Sequence, residues 1–185
     1  MTTKDFSKVY VSGEGLPQYI NQLGEGTVGL ELGVWTGENF ANILQQCPGI
    51  KTLYGMDPYA PYQDWNRMIT QEIIDDVKRQ SMENIHLSGH EDKVQFFFNT
   101  AAEGLDLIPD GSLDFIFVDG DHSYENAKHD ITNYYSKVRS GGLYAGHDFS
   151  LPGVTQALKE FIKEENIDPK SLMFTANDVW LWFKP

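Results

Sequence analysis

Two short clusters of acidic and histidine side chains are the residues of this sequence best suited to do chemistry. The first is FVDGDHSYE, which contains Asp119, Asp121 and His122, and the second is AGHDF, which contains His147 and Asp148. Carboxylates and imidazoles together bind Mg²⁺, Mn²⁺, Fe or Zn, depending on the geometry. Packing several carboxylates together without a cation is unfavourable, because like charges raise one another's pKa. The clusters therefore predict a divalent metal site, with His122 or His147 as a general base if no metal is bound.

A glycine-containing segment, ELGVWTG at residues 31–37, follows an apolar run and precedes a helical pattern. Gly33 and Gly37 allow the backbone to turn tightly and to approach a ligand closely. The segment is not a dinucleotide-binding loop, which reads G-x-G-x-x-G, because valine and tryptophan fill the positions where a pyrophosphate needs bare backbone. Glu31 would repel a diphosphate but attract the ammonium group of an amino acid. We therefore expect Glu31, Gly33, Thr36 and Gly37 to contact a ligand of that kind.

Two further polar positions follow apolar runs and fit a nucleoside. Asp57, in YGMDPY, can accept hydrogen bonds from both hydroxyls of a ribose, although an aspartate ahead of a proline is also a common turn residue. Asn99, Thr100 and Ala101 come after the next run, where backbone and short polar groups could read the edge of an adenine.

The elements that must position these residues are short apolar runs separated by amphipathic helical patterns. Strands alternating with helices predict βαβ units and an α/β, doubly wound, mostly parallel sheet. The last two runs are separated by only a few turn residues, so they predict an antiparallel hairpin at the C-terminus. Seven strands are expected, at residues 28–32, 52–56, 94–98, 113–118, 143–145, 172–174 and 179–183.

Helical patterns are clearest after the two clusters. Ser123 is a plausible N-cap for a helix whose apolar residues recur up to Val138 and which Gly141-Gly142 would end. A second helix follows Pro152. Ligands of open parallel sheets bind beyond the carboxyl ends of the strands, so the residues just after each run should converge.

The chain of 185 residues is expected to form a single domain, with residues 1–27 as a helical lead-in. Residues 58–92 form a long and irregular connection with a helix predicted around residues 72–80, and such insertions tend to be functional. His86 and His90 within it are four residues apart, a spacing that binds metals on a helix, but the nearby glycine favours a surface loop.

The composition limits the possible partners. The formal net charge of −13 disfavours nucleic acid and anionic membranes, since both attract clustered lysine and arginine. The single cysteine, Cys47, cannot form an internal disulfide and is expected to be buried in a reducing compartment. The first fifteen residues lack the apolar run of a secretion signal, and no segment is long and apolar enough to span a bilayer, so a cytoplasmic location is expected.

Taken in order, these motifs resemble those of the class I S-adenosylmethionine-dependent methyltransferases, over about residues 28–148. VGLELGVWTGENF resembles the family's E-x-G-x-x-x-G motif, and Asp57 falls at its ribose-binding acid. LDFIFVDGDHSYENAKHDI and GGLYAGHDF resemble its fourth-strand and fifth-strand motifs, most closely those of the metal-assisted O-methyltransferases that act on small molecules. In that branch an aspartate after strand four, here Asp119, joins a pair after strand five, here His147-Asp148 with histidine in the first position.

The resemblance implies a Rossmann-like sheet, S-adenosylmethionine as cofactor and transfer of a methyl group to a small-molecule hydroxyl. It implies Asp119, His147 and Asp148 as ligands of Mg²⁺ or another divalent cation, and Asp119, His122 and His147 as catalytic residues. Asp119 is also expected to contact the cofactor. We expect the chain to lack the sizeable N-terminal cap of many relatives, so residues 58–92 or a second subunit of a homodimer are expected to cover the substrate. Two alternatives remain open: a regulatory protein that binds the cofactor without turnover, and a nicotinamide-dependent oxidoreductase, against which the glycine spacing and Glu31 weigh.

Overall fold

A twisted β-sheet with helices on both faces forms the centre of the computed structural model, which describes residues 11–12, 15–64 and 67–185. The strands of the sheet are β1 (Val11–Ser12), β2 (Thr27–Leu32), β3 (Ile50–Met56), β6 (Val94–Phe97), β7 (Leu113–Val118), β8 (Val138–Gly146), β9 (Met173–Thr175) and β10 (Trp180–Phe183). Their spatial order is β1-β9-β10-β8-β7-β2-β3-β6. All seven predicted strands are present, and the two-residue strand β1 is added at one edge.

Strand direction follows the prediction. β2, β3, β6, β7 and β8 run parallel to one another, and β10 lies antiparallel between β8 and β9. The predicted C-terminal hairpin is therefore confirmed. In the parallel part, Leu32 pairs with Met56 on one side and with Val118 on the other, and Val118 pairs with Gly146. The last residues of these strands are thus level, and the segments that follow them leave the sheet at one edge, called here the C-terminal edge.

The helices are α1 (Leu16–Ile20), α2 (Glu38–Gln46), α3 (Gln71–Leu87), α4 (Ala101–Gly104), α5 (Tyr124–Asn133) and α6 (Pro152–Glu164). Three of them begin where a side chain accepts a hydrogen bond from a free N–H group of the first turn. Ser123 caps α5 as predicted, Thr70 caps α3, and Thr100 forms a capping box with Glu103 at the start of α4.

The connection at residues 58–92 is more regular than expected. It contains a two-stranded hairpin, β4 (Tyr62–Asp64) and β5 (Arg67–Ile69), followed by α3. The predicted helix at residues 72–80 is therefore only half of α3. The stretch did not read as a continuous helix because α3 is amphipathic, with polar residues over most of its surface and few buried positions. Residues 1–10, 13 and 14, which belong to the predicted helical lead-in, lie outside the described residues.

The structure also corrects the predicted C-terminal end of α5. The predicted helix included Tyr134 and Val138, but α5 ends at Asn133, a short turn follows, and Val138 begins β8 opposite Leu113. Tyr134 is buried and its hydroxyl donates to the carbonyl of Ala101. A buried valine suits a helix and a strand equally, so apolar spacing could not locate the boundary.

The core lies on both faces of the sheet. One face packs against α5 and α6 and contains Trp180 and Trp182, both fully buried. The other face packs against α1 and α2 and includes the buried Cys47. Among the helices of the described residues, none has both the length and the apolar composition needed to cross a bilayer.

Close packing under the C-terminal edge predicts that Gly146→Ala destabilises the protein by about 1–3 kcal/mol. A Cβ atom at this position would lie 2.1 Å from Cζ2 of Trp180 and 2.7 Å from the carbonyl oxygen of Val118, and the backbone contact cannot be relieved by rotating a side chain. The free energy of unfolding from urea titrations tests this prediction. Gly15→Ala is the matched control, because its Cβ would meet the flexible end of Gln18 at 3.3 Å and Cδ of Pro17 at an ordinary contact distance of 3.7 Å. Equal stabilities for the two variants would contradict the prediction.

Candidate functional site

The two acid and histidine clusters meet at the C-terminal edge, as the sequence predicted. The backbone pairing of the sheet continues one residue beyond the strands, because the N–H of Asp119 donates to the carbonyl of Leu32 (2.9 Å) and that of His147 donates to the carbonyl of Val118 (3.0 Å). Asp119 and His147 are therefore fixed on neighbouring strands. They form one site rather than two separate loops.

Four side chains make up this site, called here the acid–imidazole corner: Asp119, His122, His147 and Asp148. Nε2 of His122 lies 2.7 Å from Oδ2 of Asp148. Nδ1 of His147 lies 3.3 Å from the same oxygen and 3.6 Å from Oδ1 of Asp119. Donor atoms of Asp119, His122 and Asp148 all lie within 4.8 Å of one another, a spacing that could hold a metal ion. In this grouping His122 is the imidazole, whereas the resemblance implied His147.

The electrostatics of the corner follow from its partial burial. About a quarter of the Asp119 side chain is exposed. The pKa of Asp119 is raised to about 6, because its burial and the nearby carboxylate of Asp148 raise the pKa by more than the two imidazoles lower it. For His147, burial alone would lower the pKa, but the carboxylates of Asp119 and Asp148 raise it above its ordinary value. The corner therefore favours bound protons or another cation.

The turn between β9 and β10 forms hydrogen bonds with His147 of the corner and with the segment that follows it. The carbonyl of Asn177 lies 2.9 Å from Nε2 of His147, so Nε2 carries a proton and Nδ1 faces the carboxylates. Asp178 accepts hydrogen bonds from the backbone and the hydroxyl of Ser150. The indole of Trp180 donates to the carbonyl of His147 (3.0 Å). The sequence analysis did not find Asn177 and Asp178, and their only signal was a polar turn between two strands.

Asp121, the other acid of the first cluster, has a local structural role. Its Oδ1 accepts a hydrogen bond from the N–H of Ser123 (2.7 Å), and this turn leads into α5. Hydrogen bonds from Ser123, together with His122, lower the pKa of Asp121 against the effect of its burial. Asp121 is thus bound to the backbone rather than to the corner.

The glycine bend after β2 is built against the corner. Gly33 has a φ of +77°, and a Cβ atom there would lie 2.1 Å from the carbonyl oxygen of Asp119. Gly37 has a φ of +74° and packs against Ser81 of α3. Both positions require glycine, for conformation and for space. Trp35, between them, is 39% exposed.

Glu31 is buried at the base of the bend, with a relative exposure of 1%. Its Oε1 accepts a hydrogen bond from Asn39 (3.2 Å), but its Oε2 is buried without a hydrogen-bond partner among the described residues. Burial raises the pKa of Glu31 well above its ordinary value, and Asp119 raises it further. An unpaired carboxylate oxygen at this depth is unfavourable unless a donor binds it.

Asp57 joins the bend to the segment after β3. Its Oδ2 accepts from the N–H of Trp35 (3.0 Å) and its Oδ1 from the N–H of Tyr59 (2.9 Å), while the Tyr59 hydroxyl donates to the carbonyl of Trp35. Burial raises the pKa of Asp57 although these backbone bonds oppose the shift. Each carboxylate oxygen keeps a second lone pair, so these contacts are compatible with a ribose.

Helix α3 holds the bend from outside. Asn84 of α3 donates to the carbonyl of Thr36 (2.9 Å), and Ser81 contacts Gly37. Thr36 therefore contributes its backbone carbonyl to this contact. The region at residues 58–92 is built onto the bend at Tyr59, Ser81 and Asn84.

The remaining predicted positions differ in their surroundings. Asn99 lies between β6 and α4, Thr100 is engaged in its capping box, and Ala101 accepts the Tyr134 hydroxyl. His86 lies in the last turn of α3, not in a loop, and is paired with Glu91. His90 lies beyond the end of the helix, so the two histidines do not share a helical face.

Comparison with known proteins identifies the family. The chain matches the family described as "Methyltransferase domain" over residues 30–149, which is more than half of its length, and it belongs to this family. An uncharacterized protein of Acanthamoeba polyphaga mimivirus is 30% identical over 141 residues, 73% of this chain; the match spans only 59% of the viral protein.

Solved structures share the fold. The O-methyltransferase NovP is 21% identical, with a TM-score of 0.63 over 91% of this chain and 78% of NovP. The O-methyltransferase TomG from Streptomyces achromogenes, involved in tomaymycin synthesis and solved with S-adenosylmethionine, is 12% identical, with a TM-score of 0.62 over 91% of this chain and 79% of TomG. The fold is that of the class I methyltransferases, which confirms the fold implied by the sequence motifs.

The raised pKa of Asp119 predicts a pH-dependent stability of the metal-free protein. Its folded pKa of about 6 exceeds the ordinary value of 3.8, so the folded state binds more protons between these values and stability falls as the pH rises through them. Asp119 should lower the free energy of unfolding by about 1 kcal/mol between pH 5 and pH 8. His147 acts in the same direction, because its stabilising effect is lost as the pH rises above its raised pKa.

Urea unfolding at pH 5 and pH 8, in the presence of a chelator, measures this difference. Asp119→Asn should flatten the pH dependence, whereas Asp106→Asn, which changes an exposed aspartate, should leave it as in the wild type. If the pH dependence of the free energy of unfolding were unchanged in Asp119→Asn, burial would not raise the pKa of Asp119.

Proposed function

We propose that this protein transfers the methyl group of S-adenosylmethionine to a hydroxyl oxygen of a small molecule at the acid–imidazole corner. The observation that carries the proposal is the direct contact between the glycine bend and the corner. Gly33 lies so close to the Asp119 carbonyl that the two features form a single site. That NovP and TomG are O-methyltransferases, and that TomG was solved with S-adenosylmethionine, supports it.

The residues of the bend fit the cofactor. The unpaired Oε2 of Glu31 is a buried acceptor that the ammonium group of the amino-acid part would satisfy. Asp57 would hold the ribose hydroxyls through its free lone pairs, and the backbone of residues 99–101 would face the adenine. At Gly33 and Gly37 the bend would present backbone to the nucleoside, because neither residue has a side chain.

When bound, the cofactor supplies an electrophilic methyl group on a positively charged sulfonium. The chain contributes alignment, because in-line transfer needs little covalent help and depends on how the two reactants are held. Buried carboxylates beside the bend favour the cationic donor over its neutral product. Release of the product would thus be promoted by the same charges.

Activation of the acceptor is assigned to the corner. Asp119, His122 and Asp148 would hold a divalent cation, which would lower the pKa of the acceptor hydroxyl and orient it. His147 lies beside this group with Nδ1 facing the carboxylates, where it would take part in ion binding or accept the proton of the hydroxyl.

The charge of the protein and the region at residues 58–92 bear on the acceptor. A net charge of −13 favours neutral or cationic acceptors over nucleic acid. Residues 58–92 contact the bend through Tyr59 and Asn84, and we propose that this region covers the substrate.

Binding of the cofactor tests the assignment of the bend. Asp57→Ala should weaken the affinity for S-adenosylmethionine by about 1–3 kcal/mol, because it removes the ribose acceptor and also frees the N–H of Trp35. Calorimetric titration of the folded variant measures the change, and Asp106→Ala serves as the exposed control. Wild-type affinity in Asp57→Ala would contradict the ribose assignment, and tighter binding of NAD than of S-adenosylmethionine would favour an oxidoreductase.

A methyl-transfer assay tests the catalytic role proposed for the acid–imidazole corner. With methyl-labelled S-adenosylmethionine and a panel of phenols, sugars and other hydroxyl compounds, label should pass to an acceptor, and Asp119→Ala should abolish the transfer while the fold is retained. Full activity of this variant would remove the metal-assisted mechanism. If the cofactor binds but no acceptor is labelled, with or without Mg²⁺ and Mn²⁺, the protein is better described as a regulatory cofactor-binding protein.

A further inference from the structure

One edge of the central sheet is open. Strand β6 ends the spatial order, and no strand of the described part of the chain pairs with its outer side. An open edge presents unpaired N–H and C=O groups, which monomeric proteins protect with charges, prolines, bulges or very short strands. We propose that two copies of this chain pair through β6, antiparallel about a two-fold axis, and so form one continuous sheet. This inference is independent of the proposed methyl transfer.

Strand β6 has none of the usual protection. Residues 94–98 read VQFFF and contain neither a charge nor a proline. The pairing of β6 with β3 runs from Val94 to Phe97 without a shift of register, so no bulge turns the edge away. Lys93, just before the strand, donates from its ammonium group to the carbonyl of Pro48 (3.3 Å) and is thus directed back to its own chain. The opposite edge of the sheet differs, because β1 is only two residues long.

The direction of the backbone groups fixes the register of such a pair. The carbonyl of Phe97 accepts the N–H of Asp57, which follows β3, so the groups of Phe97 face β3. Because successive residues of a strand alternate in direction, the groups of Phe96 and Phe98 and the carbonyl of Val94 face outward. With the two-fold axis at Phe96, the two Phe96 residues would bond to each other. The N–H of Phe98 in each copy would donate to the carbonyl of Val94 in the other.

Apolar side chains are exposed on the elements around β6. Of the large apolar side chains that are exposed in the described residues, all but Trp35 lie between residues 62 and 107, namely Tyr62, Met68, Leu87, Phe98 and Leu107. Phe98, directly after β6, is 51% exposed although the ammonium group of Lys78 lies 4.0 Å from the centre of its ring. A stable dimer buries roughly 800 Å² on each subunit, which is more than the pairing of five residues alone can bury. Covering these side chains would add to the buried area, and such patches are typical of interaction surfaces.

Both faces of β6 suit a second copy. On one face the rings of Phe96 and Phe98 pack with their centroids 4.9 Å apart, and on the other Gln95 and Phe97 line a cavity of about 280 Å³. In the proposed register the second copy's Phe97 lies opposite Gln95, beside this cavity, and its Val94 lies opposite the exposed Phe98. Two copies that each carry a net charge of −13 repel one another, which favours contact through an uncharged strand.

Sedimentation equilibrium of the full-length protein at increasing concentration tests the interface. The wild type should approach the mass of two chains. Phe98→Glu should weaken the dimer at least about tenfold, because it sets a charge against the apolar Val94 of the other copy. Thr132→Glu adds the same charge at an exposed position of α5 and should dimerise as the wild type does. A wild type that stays monomeric, or equal dimerisation of Phe98→Glu and the wild type, would overturn the proposal.

A spin-label measurement tests the register without weakening the dimer. A nitroxide is attached at the exposed position 95 in Gln95→Cys, and the unsubstituted protein treated with the same reagent corrects for label at the buried Cys47. In the proposed register the two positions 95 are diagonal neighbours, with their Cα atoms roughly 8 Å apart. The electron paramagnetic resonance spectrum should therefore show dipolar broadening that disappears when excess unlabelled protein is added. Thr132→Cys, labelled in the same way, should show none, and a dimer without broadening at position 95 would refute the proposed pairing.

Discussion

Negative charge held partly out of water at one edge of the sheet is the constraint around which this protein is organised. Glu31, Asp57 and Asp119 lie at the ends of neighbouring strands, and burial raises the pKa of each. The unpaired oxygen of Glu31 and the crowded carboxylates of the corner are unfavourable in the free protein. A sulfonium, an ammonium group or a divalent ion would relieve this cost. The same electrostatic arrangement that lowers stability therefore favours cationic ligands.

Backbone geometry brings these charges together. Five parallel strands end at one level, and Gly33 allows the bend to lie directly against the Asp119 carbonyl. Segments remote in sequence then fix the side chains: Asn84 of α3 holds the bend, and Asn177 of the C-terminal hairpin orients His147. The site is thus held by packed elements on both sides, as alignment of two reactants within a fraction of an ångström requires.

The agreement between sequence and structure differs from one feature to another for physical reasons. Strands buried on both faces are largely apolar runs, so β2 and β7 were located within one residue. The ends of β3 and β6, which are only partly buried, were located within two residues. The boundary between α5 and β8 was predicted less accurately. Val138 fits a helix and a strand equally, and only its pairing with Leu113 assigns it to β8. Helix α3 was found only in part, because most of its surface is polar.

By itself the sequence determined which functional side chains are present and their order along the chain. They are an acid ahead of a glycine bend, an acid after the next strand, and two clusters of aspartate and histidine. Since parallel strands end at a common edge, this order was sufficient to predict that the groups converge. Only the tertiary structure decided which imidazole approaches which carboxylate, that Asp121 is bound to the backbone of Ser123, and that Asp57 accepts the N–H of Trp35. The direction of a side chain depends on the turn that carries it and on partners tens of residues away, and neither is encoded in the spacing of residues within a motif.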